Sequence, residues 1–183
     1  MTENMTERKA GLFRRQWPSL LCGALLWFAA FAVGWANSPT DPTDMTRIRR
    51  EPSGTLFLEI LGTNVSVSAA LFLGVVTAGL ATLPAAIVSG ALAGYSWGQA
   101  LPLLGGDGFA RHLLPHMPLE LASIAVAAGA GLVPLVAWVR SGIGRRRLDR
   151  AGWWLQFVDA SRLWGVSLLG LVAAAGVETW VST

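Results

Sequence analysis

The chain has 183 residues, of which 53% are hydrophobic and 14% charged, about half the charged share of a soluble domain, and this excludes an ordinary water-soluble fold. Fourteen Lys and Arg face 11 Asp and Glu for a formal charge of +3, and all but one of the cations are arginines, so their placement matters more than their sum. One cysteine, Cys22, excludes a disulfide framework and cysteine-ligated zinc or iron–sulfur sites, and two histidines exclude most histidine-rich metal cages. Neither GxxxxGK[ST] nor GxGxxG occurs, which argues against a nucleotide-driven motor within the chain. No cofactor, no metal and no nucleic-acid partner is expected.

Four long windows lack charge: 16–40, 60–106, 121–139 and 163–177, the last continuing past Glu178. A helix needs about 20 apolar residues to cross the hydrocarbon core, so each window holds a span, and the second, divided near Pro84, holds two. The expectation is an all-α fold, a polytopic membrane helical bundle forming one domain over 1–183. Its five spans are predicted near 17–37, 65–83, 85–104, 115–139 and 163–181. With the N-terminus inside, ten basic residues (Arg8, Lys9, Arg14, Arg15, Arg140, Arg145, Arg146, Arg147, Arg150 and Arg162) fall on the cytoplasmic side. Four (Arg47, Arg49, Arg50 and Arg111) fall outside. That asymmetry predicts a multi-pass protein of the cell membrane with its C-terminus outside.

The first window also carries signal-peptide features, a basic flank, an apolar core and Gly34-Trp35-Ala36. The outer loop is placed at 38–63, with a short interfacial helix in Leu56–Leu61, and the inner basic loop at 140–162. Within that inner loop Trp153, Trp154, Phe157 and Val158 alternate with Gln156, Asp159 and Arg162 as a second interfacial helix.

Gly90, Gly94 and Gly98 form two GxxxG steps, which put small residues on one helix face for close packing within the fold or a dimer. The stretch Pro115-His116-Met117-Pro118-Leu119-Glu120-Leu121 opens the fourth span. His116 and Glu120, four apart, share a helix face and are the candidate catalytic pair; ionisable residues at a membrane span cost free energy unless paired or wetted. The topology collects Glu59, Asn64, His112 and Glu178 at the same outer end as a polar network. His112 is set aside as a metal ligand, because residues eight apart on a helix differ by about 80° in direction and Pro115 argues against a helical His112.

The chain resembles the stage II sporulation protein M family of bacterial integral membrane proteins, which also includes proteins of circular-bacteriocin production. The resemblance runs from about Leu56 to the end and rests on Asn64, on Gly74, Gly79, Gly90 and Gly94, on Pro115, His116, Glu120 and Leu121, and on Ala127-Ala128-Gly129-Ala130-Gly131-Leu132. Met117 stands where the family has Gly, and Ser89 precedes Gly90 where the family has Asn. The resemblance implies a scaffold or assembly component for envelope remodelling, or for maturation and export of a hydrophobic peptide. Its partners would be the lipid bilayer, a membrane-protein partner or a second copy, a hydrophobic peptide substrate and an ATPase. Two other readings stand beside it. One is a membrane-embedded peptidase or cyclase using His116 and Glu120 in acid–base chemistry; the other is a peptide or ion transporter subunit, with Pro84, Pro102, Pro115 and Pro118 as helix breaks.

Overall fold

The computed structural model describes residues 11–39, 51–142 and 150–182, and within them every regular element is helical. The arginines at 8, 47, 49, 50 and 145–147, on which much of the expected charge asymmetry rests, lie outside the described residues.

Helix α1 (Leu12–Ala36) ends where two side chains turn back on its last carbonyls: Asn37 Nδ2 donates to Val33 O at 2.8 Å and Ser38 Oγ to Trp35 O at 2.7 Å. Helix α2 (Gly54–Phe72) starts at an N-cap, Ser53, whose Oγ accepts from the Leu56 amide at 3.1 Å, and continues as a 3-10 turn through Leu73–Val75. Residues 54–63, expected as outer loop with a separate interfacial helix, therefore belong to the membrane helix itself. The span expected at 65–83 is correspondingly early.

The break expected at Pro84 also comes sooner. Ala78 and Gly79 both take positive φ (53° and 89°), and the Gly79 amide closes onto Gly74 O at 2.6 Å. The chain thus reverses through residues 76–81, and α3 (Thr82–His112) begins with Pro84 in its first turn, where no donor is lost. Gly105 (φ 67°, ψ 169°) interrupts α3 near its end with a backbone conformation that only glycine takes easily. His112 is the last residue of α3, so the expectation of a non-helical His112 is corrected: Pro115 sits in the turn that follows. Helix α4 (Met117–Arg140) fits the expected fourth span. Helix α5 (Arg150–Trp180) runs without interruption, and the inner interfacial segment is its first part, not an element of its own.

Four of these helices, α1, α2 with its 3-10 extension, α4 and α5 from Gly152, are long and apolar enough to cross a membrane. Helix α3 is as long, yet Ser89, Tyr95, Ser96 and Gln99 lower its apolar content, and it is not among the four. The contacts order the five by direction. Gly90 lies against Trp27 and Ala30 and Gly98 against Ser38, so α3 runs parallel to α1. Phe57 stacks on Trp180 and Phe72 on Trp164, so α2 runs antiparallel to α5, as does α4, with His116 beside Ser182 and Gly170 beside Ser123. Arg15 meets Asp159, aligning α1 with α5. Each helix thus reverses the one before it.

Helix α4 forms the centre: 61% of its apolar stretch is buried, against 17% for α2. Its small residues explain this, because Ala127, Ala128 and Ala130 leave room for neighbouring backbones and are fully covered. A Cβ on Gly129 would stand 2.8 Å from Leu20 Cα, so α1 and α4 cross almost backbone to backbone. Hydrogen bonds tie the layers: Trp164 Nε1 donates to Ser68 Oγ at 2.7 Å, Trp27 Nε1 to Ser89 Oγ at 3.2 Å, and the buried Thr82 Oγ1 to Leu71 O at 2.7 Å. Leu58, Leu73, Val76, Leu80, Leu169 and Val181 stay outward, forming an apolar surface suited to lipid.

Candidate functional site

At the end of the bundle where α4 begins, three ionisable side chains meet. His116, the N-cap of α4, is buried, and its Nε2 lies 4.0 Å from Glu120 Oε2 and 3.9 Å from Glu178 Oε2. Four residues of helix bring Glu120 onto the His116 face, and the antiparallel run of α5 brings Glu178 to the same level. Asn64, on α2, shares a pocket lining with Glu120. The other imidazole nitrogen, Nδ1, is 3.2 Å from Ser182 Oγ, and the edge of the Trp97 ring system covers His116 at a centroid separation of 6.4 Å.

Of the residues expected to converge, His116, Glu120, Glu178 and Asn64 form one cluster. His112 stands to its side, with Nδ1 2.6 Å from the carbonyl of Ser182. Glu59 is exposed on α2, about 140° around the helix from Asn64. Two contributors were missed by sequence reasoning. Ser182 is four residues beyond Glu178, a spacing that predicts a shared side; Trp97 carried no signal, because only the packing of α3 brings it near.

A side-open cleft of about 450 Å³ leads away from this cluster between α2, α3 and α4. Thr63, Asn64, Val67 and Ala70 form one wall, residues from Ala85 to Trp97 the other, and Trp27, Leu121 and Ile124 the floor, with Glu120 at the polar end. From Ala85 to Trp97 the helical rise is about 18 Å, so the cleft is elongated along the bundle. Val88 and Leu92 on its rim are more than half exposed.

At the opposite end Asp159 of α5 accepts from Arg15 at Nη2 (2.7 Å) and Nε (3.2 Å) and from Gln16 Nε2 (2.9 Å). Asp159 and Gln16 are both buried, and this group fastens the starts of α1 and α5 together.

Gly90, Gly94 and Gly98 are buried against α1: a Cβ on Gly94 would lie 2.8 Å from Phe31 C and 2.9 Å from Trp35 N. No curated protein and no solved structure matches the chain. The model of the family Stage II sporulation protein M matches residues 20–183, from the third turn of α1 through the whole polar cluster, and the chain belongs to that family.

Proposed function

We propose that this protein is a multi-pass scaffold of the cell membrane, with five spans, its N-terminus inside and its C-terminus outside, which receives an apolar segment of a partner during envelope remodelling or during maturation and export of a hydrophobic peptide. The observation that carries the reading is the cleft: largely apolar walls open sideways between two lipid-facing helices, with Asn64, Ser96 and Glu120 gathered towards one end and Ser89, bonded to Trp27, farther along. Such a shape suits the side chains of an apolar helix, while Asn64, Ser96 and Glu120 meet a polar terminus or headgroup. The alternation of helix direction supports the topology, because it allows α3 to cross beside α1 even though its own composition falls short.

The topology is checked with impermeant thiol reagents on intact cells, in a Cys22→Ser background. Glu51→Cys, ahead of α2, should label from outside, and Ser141→Cys, after α4, only once the membrane is permeabilised. Labelling of Ser141→Cys first would overturn the orientation.

The cleft is tested by a photo-crosslinking residue at Leu92, compared with one at Leu169, which is 74% exposed on α5. A hydrophobic peptide or membrane partner should cross-link from Leu92, not from Leu169, and Ser96→Trp, which fills the cleft from an exposed position, should reduce the adduct at least about tenfold. Equal cross-linking from both positions would remove the cleft from the function. A second reading, a membrane-embedded peptide-processing enzyme, is favoured by the meeting of His116, Glu120 and Glu178 at the cleft mouth. A Glu120→Gln protein that folds and keeps the Leu92 adduct, yet leaves the peptide unprocessed, selects that reading.

A further inference from the structure

One ligand atom each from His116, Glu120 and Glu178 lies within 4.8 Å of the other two. A cation at their centre would therefore stand no more than about 2.8 Å from each, and an inward movement of about 0.7 Å per side chain yields the 2.0–2.2 Å bonds of zinc to nitrogen and oxygen.

The hydrogen bonds around His116 point the same way. Ser182 Oγ reaches Val177 O at 3.5 Å as a donor, which leaves its lone pairs to accept from His116 Nδ1 at 3.2 Å. When Nδ1 donates to Ser182 Oγ, the Nε2 lone pair faces two carboxylate oxygens, an arrangement of acceptors against acceptors that a metal cation between them satisfies. Among the described residues no Arg or Lys lies within ion-pair distance of Glu120 or Glu178; the basic side chain near both is His116. The Ser182 contact also has the form of the outer hydrogen bond that orients a ligating histidine.

We infer that His116 Nε2, Glu120 and Glu178 bind one divalent transition-metal ion of the zinc class at the His116 end of the bundle, with its remaining coordination positions turned towards the cleft that Glu120 lines. Three protein ligands and an open position are the pattern of sites where the ion polarises a carbonyl or phosphoryl oxygen or activates water, and two carboxylates admit manganese as well as zinc. The inference does not rest on the scaffold reading: the cluster would hold its ion whether or not the cleft receives a peptide.

The test uses the full chain purified in detergent, stripped with chelator, equilibrated separately with zinc, cobalt or manganese chloride, desalted and measured by elemental mass spectrometry. One ion per chain is expected for at least one of the three, with a rise in thermal midpoint on adding it back. His116→Ala and Glu178→Gln should reduce bound metal to background and abolish that rise, and Ser182→Ala, which keeps every ligand, should weaken binding about tenfold. Apo midpoints separate loss of the site from loss of the fold. Substoichiometric binding of all three ions by the wild type, or equal retention by folded His116→Ala, would overturn the assignment.

Discussion

Gly94→Leu should lower the thermal midpoint in detergent more than any other single change on the α1–α3 face. The cause is geometric: the added Cβ meets the carbonyl group of Phe31 and the amide of Trp35, which are backbone and cannot rotate aside. The helices must part, and α1 would lose its contacts with Gly90 and Gly98 as well, since all three glycines line one groove. Overpacking of this kind costs about 3 kcal/mol or more. Leu92→Ala is the control two residues away; Leu92 is 62% exposed, and trimming it should cost about 0.5 kcal/mol or less. If the two variants melt together, α3 is held by something other than this groove.

The second large effect is expected at the opposite end. Asp159→Ala withdraws one carboxylate from three donors, the fork of Arg15 and the amide of Gln16, in a buried setting. Breaking a buried pair costs about 3–5 kcal/mol, and because the Arg15 side chain is 26% exposed the low end applies, about 3 kcal/mol. Asp159→Asn keeps an acceptor for Gln16 and the same volume, so it should lie between Ala and the wild type. The measurement is the melting midpoint of the three proteins side by side. An Asp159→Ala protein as stable as wild type would show that this carboxylate does not hold α1 and α5 together.

What could be read from the chain, and what could not, follows the range of the interactions. The central helix was legible because its signals are local: an uncharged run, a proline pair that fits the start of a helix, and a string of alanines and glycines from 127 to 131. The His116–Glu120 relation was legible for the same reason, as a spacing of four. The start of α2 reads too late in the sequence because residues 54–64 include Glu59, Gly62, Thr63 and Asn64, which look like loop when hydropathy is averaged, whereas the Ser53 cap and the apolar Leu56, Leu58 and Leu61 set the helix going earlier. The sequence points to Pro84 for the turn before α3, since proline is a visible breaker, but the reversal is made at Ala78 and Gly79, both at positive φ, which glycine takes freely and alanine only where the surrounding fold imposes it. The Arg15–Asp159 pair joins residues 144 apart, and nothing near either one announces the other. The cleft belongs to the same class, a volume that exists only once three helices are set beside each other.

The shortfall in apolar character along α3 has a consequence for how the protein is made. In the five-span arrangement a segment carrying Ser89, Tyr95, Ser96 and Gln99 gains too little from lipid to leave the insertion machinery by itself. Helix α1 is synthesised first and offers Trp27, Phe31 and Trp35 along the line where Gly90, Gly94 and Gly98 will lie. If α3 spans as proposed, its partitioning is a docking event instead of a solvation event, with α1 as an internal chaperone for its own chain. In the proposed five-span topology, insertion would therefore be ordered from the N-terminus: the hairpin of α2 and α3 would reach its final depth only after α1 is in place, and α4, apolar enough by itself, would close over both.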